Sequence, residues 1–316
     1  MPTRLSRLTT SLFLLTACCT AADLKPIATV PLPCESPSQM ISPAGDQLAI
    51  DCPDHSAMLL GISSGTIFAK FDPKPGITGL AYSRDGRFLA LGRSDGAVEI
   101  LSTSASAPPR HFKVGPRVGT LDFSPDSTKL IVGAIDGPGE VWDLGDTPKK
   151  IAALQQDFGG LIDCAFSPDG KLLVTADGDT LIRFYDTATW QLQHVYRGIL
   201  LETFVVTFAA DGKHVLLGGP DNHITQLDTS AADPRLLERD AGVVVQIFPF
   251  GPSGQALVNY FDGEGRAPSH QSIWSVDTGK SSPLPFDAKI TGIGVVHNHL
   301  WLASLKDRTL QISEYR

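Results

Sequence analysis

The chain has 316 residues, 42% hydrophobic and 19% charged, a balance that supports a globular core and excludes a disordered or collagen-like chain. Its 26 basic residues are outnumbered by 34 acidic ones, and no basic run is longer than Lys149-Lys150; the net charge of −8 argues against nucleic acid or an anionic membrane surface as a partner, since both need clustered Lys and Arg. After residue 23 no stretch reaches the ~20 apolar residues that a membrane-crossing helix requires.

The first element, residues 1–22, reads as an export signal. Arg4 and Arg7 precede an apolar stretch over residues 8–17, and small residues follow up to Ala22. This is the charged start, short apolar middle and cleavage zone of a secretory signal, too short to span a bilayer. Two cleavage modes fit. Leu15-Thr16-Ala17-Cys18 is similar to the bacterial lipobox, in which Cys18 becomes the lipidated first residue of an anchored lipoprotein. Thr20-x-Ala22 is similar to an ordinary signal-peptidase site, which would release a soluble periplasmic chain at Asp23. Either way the expected location is outside the cytoplasm, in the bacterial periplasm or on its membrane. Losing Arg4 and Arg7 leaves 24 basic against 34 acidic residues, a mature charge of −10.

Cysteine use suits an oxidising compartment. Cys34 and Cys52 flank the first hairpin, whose turn centres near Ala44. Antiparallel pairing brings Cys52 opposite about residue 37, just downstream of Cys34. A disulfide and a pair of buried thiols both fit that placement. Cys164 alternates with Ile162 and Phe166 on one strand face and is expected to be a buried apolar filler.

From residue 37 onward one pattern recurs seven times, so residues 23–316 are read as a single domain. Each copy has an apolar run, a tight turn, a second apolar run, an Asp-rich turn and a third apolar run. The tight turns are Ser42-Pro43-Ala44-Gly45, Ser83-Arg84-Asp85-Gly86, Ser124-Pro125-Asp126-Ser127, Ser167-Pro168-Asp169-Gly170, Ala209-Ala210-Asp211-Gly212, Gly251-Pro252-Ser253-Gly254 and a weaker His297-Asn298-His299. Their fourth positions (Asn298 in the last) are spaced by 41, 41, 43, 42, 42 and 44 residues. A period of roughly 40–45 residues with four short strands per unit is the signature of a β-propeller. The predicted fold is therefore all-β: seven four-stranded antiparallel blades.

The unit over residues 161–197 is the clearest. Strands are predicted at residues 161–166, 171–176, 181–186 and 191–196. Pro168 presets φ in the first turn and Gly170 takes the positive φ. The first three strands are apolar enough to be buried between neighbouring blades. The fourth mixes polar and apolar residues and belongs at the rim.

Phe166-Ser167-Pro168-Asp169-Gly170-Lys171, followed by an Asp turn and a third strand ending Trp142-Asp143 or Tyr185-Asp186, resembles the WD-repeat superfamily. Residues 37–316 are identified as a divergent, exported bacterial member of the WD-like (YVTN-type) seven-bladed propellers. Trp-Asp occurs once, and no Gly-His dipeptide occurs, so the hydrogen-bonded tetrad of the family is incomplete. The last unit ends soon after residues 309–313 and lacks a fourth strand. Residues 27–32 form a strand without a blade, and are expected to close the ring as the outer strand of the last one.

Candidate sites are few. The resemblance puts Asp54, Asp95, Asp136, Asp177, Asp179, Asp221, Asp262 and Asp307 near one face, where short Asp side chains are expected to cap their own turns. The sixth unit carries an insertion about six residues longer than its equivalents, whose Asp262, Glu264, Arg266 and His270 are candidate partner-binding residues. Trp190, in a turn where smaller residues are usual, is a second candidate anchor, or packs on the blade edge. His297 and His299 are two residues apart but lack a third ligand nearby. No motif for a nucleophile, a metal, a phosphate or a haem is present, so no catalytic residue and no cofactor is assigned.

Two functions follow. The first is a non-catalytic interaction or scaffold module, expected to be monomeric, that presents a face to a protein or envelope partner. The second is a lactonase-like hydrolase with a metal in the central channel. The hydrolase would need carboxylates converging from different first strands, and Asp122, Asp163 and Gln246 look too sparse and differently placed for that.

Overall fold

A computed structural model describes residues 24–315, apart from 35–37, 55, 105–106, 116, 136, 156–158, 198–202, 230–234, 240–242, 252–253, 262–269, 285–289 and 307–308. The expected signal, with Cys18, lies outside these residues, as do Asp136, Asp262, Glu264, Arg266 and Asp307. Among the described residues the chain forms 28 strands and no helix.

Five sheets are four-stranded and one is eight-stranded. The eight-stranded sheet is two units joined at a single parallel seam, where Gln39 pairs with Gly292 and Met40 with Ile293. One unit holds Ser38–Ile41, Gln47–Asp51, Ala57–Gly61 and Ile67–Phe71. The other holds Ile290–Val296, His299–Lys306, Thr309–Tyr315 and, as its outer strand, Lys25–Pro31. The fold is thus a β-propeller of seven four-stranded units, called blades 1 to 7 in chain order with Ser38–Ile41 opening blade 1. The N-terminal strand closes blade 7 as expected, with Lys25 opposite Glu314 and Pro31 opposite Thr309.

The parallel seam exists because glycine lets two backbones meet. A Cβ at Gly294 would stand 2.6 Å from Ile41 Cβ, and one at Gly292 would stand 2.8 Å from Gln39 Cβ. Blade 7 offers Ile290-Thr291-Gly292-Ile293-Gly294 at this point, so its first strand approaches blade 1 closely enough to pair.

The tight turns satisfy themselves. In Ser83-Arg84-Asp85-Gly86, the Ser83 hydroxyl donates to Asp85 Oδ1 at 2.7 Å, and Asp85 Oδ1 accepts from the Arg87 amide at 3.0 Å. The Phe88 amide donates back to Ser83 Oγ at 2.9 Å. Ser124 with Asp126 and Ser167 with Asp169 repeat the arrangement. Each turn therefore forms with few long-range contacts.

Strand alternation then sends one face of each blade to each neighbour. Leu89 and Leu91 pack with Ala49 and Leu59 of blade 1, whereas Ala90 packs with Val118, Leu130 and Val132 of blade 3. The buried apolar residues fall into seven clusters, one at each contact between successive blades. The core is therefore a ring of seven seams around an open axis. Val30 and Leu32 are buried in the seam between blades 7 and 1, so the closing strand fills that seam as well as pairing at its edge. A disulfide joins Cys34 and Cys52 over the same seam, with a Cα–Cα distance of 6.1 Å. Cys164 is a buried free thiol in the seam between blades 3 and 4.

Candidate functional site

The first strand of each blade lines the axis. In blades 3 and 4 these are Val118–Phe123 and Leu161–Phe166, each ending on a buried aromatic. Asp122 stands one residue before its aromatic and Asp163 three residues before its own. Positions one and three share a face in an alternating strand, and both acids lie on the face turned to the next blade, at its inner, axial edge. Thr120 shares that face.

They meet in a cavity of about 430 Å³. The wall includes Thr120, Asp122, Asp163 and Gln246 from first strands, Phe204 and Phe248, and Arg84 from the tight turn of blade 2. Asp122, Asp163 and Gln246, which look sparse and differently placed in the sequence, thus border one space.

The two acids bind the next blade in the same way. Asp122 Oδ2 accepts from the Phe166 amide at 2.9 Å, and Asp163 Oδ2 accepts from the Val206 amide at 2.9 Å. Thr120 Oγ1 donates to Asp163 Oδ1 at 3.2 Å. Arg84 crosses blade 3 to donate from Nη2 to the Phe166 carbonyl at 2.9 Å, which brings its charge to bear on Asp122. Removal from bulk water by the strand walls pushes Asp122 up to about 6, with Arg84 and the amide bonds opposing. The same desolvation pushes Asp163 up to about 7, opposed by the Val206, Cys164 and Thr120 bonds and reinforced by the neighbouring Asp122 charge.

Arg84 was not singled out in the sequence. Its signal is positional: Pro43, Pro125, Pro168, Ala210 and Pro252 occupy the same turn position, and only blade 2 puts a long cation there.

The other candidates are dispersed. Trp190 has φ +58°, where the equivalent turns of blades 1 and 6 use Gly65 (φ +63°) and Gly279 (φ +66°). Its half-buried ring packs edge-on against Phe166, with centroids 6.3 Å apart, so it serves the seam between blades 3 and 4. His270 is exposed at the start of His270–Ser275 and its ring stacks on Tyr260 at 4.4 Å. No contact brings it to Trp190. His299 Nδ1 lies 3.3 Å from Glu314 Oε1. Of the described face acids, Asp54, Asp95, Asp179 and Asp221 each accept from the amide two residues on and hold their own turns; Asp177, expected to do the same, is instead buried in an ion pair with Arg183. Among the described residues no group of three or more His, Cys, Asp or Glu could hold a metal ion.

Comparison with known proteins agrees with this architecture. Residues 40–126 match the model of the anaphase-promoting complex subunit 4 WD40 domain, and residues 149–186 match that of the WD domain, G-beta repeat. The chain is 33% identical over 123 residues to WD repeat-containing protein 70 of Xenopus laevis, covering 35% of this chain and 20% of that protein. It is 30% identical over 170 residues to SEC12-like protein 1 of Arabidopsis thaliana, covering 50% of this chain and 40% of the relative. The chain thus spans well under half of either relative. Among solved structures, the Cps50 (Swd1) β-propeller domain of Myceliophteria thermophila superimposes with a TM-score of 0.71 at 14% identity, over 93% of this chain and 100% of that one. A chain of the mitotic checkpoint complex gives a TM-score of 0.76 at 15% identity, over 100% of this chain and 98% of that one. At these identities the likeness is one of fold. The matched segments are similar to WD40 repeats, and the chain has the β-propeller fold.

Proposed function

We propose that this chain is an exported interaction module that presents a propeller face to a protein or envelope partner and performs no chemistry of its own. The observation that carries this reading is the closed ring: seven apolar seams and a clasping N-terminal strand hold the loops of both faces on a rigid frame. Rigid frames suit recognition because little ordering entropy is lost on binding. WD40-repeat propellers are typically protein-interaction scaffolds. Export rests on Arg4, Arg7 and the apolar stretch that follows them, and the disulfide between Cys34 and Cys52 suits an oxidising compartment. Cys18 is the lipid attachment point if cleavage follows the lipobox mode.

The test is expression in a bacterium with the native N-terminus. A mature chain that begins at a lipidated Cys18 or at Asp23 in the envelope fraction is expected; an intact Met1 in the cytosol would defeat export. A photoreactive residue at the exposed His270, and separately at the exposed Arg84, then reports on two parts of the surface. A discrete cross-linked protein at one position and not the other is expected, and no cross-link at either would count against the module.

A channel hydrolase is the second reading, favoured by the convergence of Asp122 and Asp163 on one cavity. Elemental analysis of the purified protein separates the two, since the hydrolase requires a stoichiometric metal.

A further inference from the structure

We propose that the channel cavity binds one organic cation, an alkylammonium or guanidinium group, with Asp163 as its principal anchor.

The charges in the wall do not balance. The titratable groups that border the cavity are Arg84, Asp122, Asp163 and the Cys164 thiol, and burial pushes the thiol up so that it carries no charge. With both acids ionised, one guanidinium faces two carboxylates. Arg84 is spoken for: it holds the Phe166 carbonyl and offsets Asp122. The partners of Asp163 are the Val206 and Cys164 amides and the Thr120 hydroxyl, all neutral. The site is short of one positive charge, and a ligand that brings it relieves the repulsion between the two acids.

The shape and lining decide what kind of cation fits. A cavity of about 430 Å³ is far larger than a bare metal ion needs and falls in the range of small-molecule sites. Asp122 Oδ2 and Asp163 Oδ2 each accept from a backbone amide and Asp163 Oδ1 accepts from Thr120, so the two acids keep lone pairs for one further donor but too few open oxygens to enclose a divalent ion. Apolar residues, among them Val205, Ile247 and Phe204, line the same wall, and Phe204 is 38% exposed. Apolar lining beside a carboxylate suits a cation with an apolar stem, which can pass its charge to Asp163 while its carbons cover that lining. An anionic ligand would meet two acids and a single arginine already in use.

The cation can come from a free amine or from a basic side chain on a partner. The cavity needs no protein partner to bind the former, so the experiment below can succeed even where the interaction-module reading fails. Isothermal titration of the purified mature protein at pH 8 compares n-butylammonium, N-acetyl-lysinamide, n-butanol and calcium. Saturable one-to-one binding of butylammonium is expected, with n-butanol at least tenfold weaker. Asp163→Asn is expected to weaken butylammonium at least tenfold. Arg84→Gln, on an exposed turn, is expected to tighten it several-fold, and this variant keeps the test alive if Asp163→Asn fails to fold. Lysinamide binding as tightly as butylammonium assigns the site to a partner's side chain; much weaker binding assigns it to a free amine. Butylammonium that does not bind at millimolar concentration, binding unchanged in folded Asp163→Asn, or calcium that binds more tightly than either amine would overturn the proposal.

Discussion

Arg93 and Asp177 occupy the same position in blades 2 and 4 and carry opposite charges. Each ends the second strand of its blade, and each meets its complement six residues on, in the third strand. Arg93 Nε lies 2.5 Å from Glu99 Oε1, and Arg183 Nη1 lies 2.5 Å from Asp177 Oδ2. The ion pair is kept while its polarity is reversed. What the blade needs here is a buried charge with its complement, since an isolated one costs several kcal/mol to bury.

Removing one partner should therefore hurt more than reversing both. Arg183 is 2% exposed and Asp177 0%, and Arg183 Nη2 also reaches Asp179 Oδ2 at 2.6 Å. Arg183→Met is expected to cost about 3–5 kcal/mol in urea unfolding because it strands Asp177. The double change Asp177→Arg with Arg183→Glu, which copies blade 2, should recover most of that loss. A double variant no more stable than Arg183→Met would show that the two positions are not interchangeable.

A second prediction concerns the spacing between blades. A Cβ at Gly218 would lie 2.2 Å from Val244 Cγ1, and one at Gly92 would lie 2.3 Å from Val118 Cγ1. In both cases the next blade's first strand sits against bare backbone. Gly218→Ala is expected to lower stability by about 1–3 kcal/mol through overpacking, read as a shift in the denaturant midpoint. The companion change Val244→Ala should restore part of it by clearing the space.

Much of this architecture was legible because it is written locally. Ser83, Asp85 and Gly86 fold their turn within six residues, so the repeat declared itself at a fixed period. The strand expected at residues 191–196 is observed at Leu192–Tyr196, and the one expected at 161–166 matches to the residue. The unpaired segment before the first repeat could be matched with the blade that lacked a strand. The channel was not legible, because its residues come from five blades, 2 to 6, and only closure of the ring brings them together. A β-bulge after the first residue or two of a first strand, as between Leu161 and Asp163 or between Val244 and Gln246, shifts the register, so sequence spacing does not say which side chains face the axis. Arg84 sat inside a turn motif whose role was already explained. Trp190 could be read as an anchor or as blade-edge packing, and its contact with Phe166 sets its ring in the seam.

The closing strand and its disulfide should stabilise the ring together. Truncation of residues 24–33 removes the buried Val30 and Leu32 and uncovers the edge of Thr309–Tyr315, so a sharp fall in melting temperature is expected. Cys34 and Cys52 are 18 residues apart, and replacing both with Ala should cost about 2–4 kcal/mol. The purified oxidised protein should gain two daltons on reduction, with the loss of one S–S bond. An unchanged melting curve after truncation would refute the clasp.

The last prediction follows from the channel acids and its sign is opposite to that of the surface turns. Asp122 and Asp163 are raised to about 6 and about 7 from an ordinary carboxylate value of 3.8. Between pH 4 and 7 the folded chain therefore holds protons on these groups that the unfolded chain has lost. Their contribution is fully present below about pH 4 and is lost as the pH rises through 6 and 7. Asp85, Asp126, Asp169 and Asp211 are lowered by Ser hydroxyls, turn amides or, for Asp211, the His214 ring, against partial burial. Those contributions are present above about pH 4 and vanish as the pH falls below it. Stability should thus peak near pH 4 and decline until about pH 7. Asp163→Asn keeps an oxygen for the Val206 amide but cannot ionise. It should be more stable than the parent by on the order of 1–2 kcal/mol at pH 8 and nearly equal to it at pH 5. Urea unfolding at the two pH values checks this, and an Asn variant that loses stability at pH 8 would mean that the ionised carboxylate is compensated in the channel.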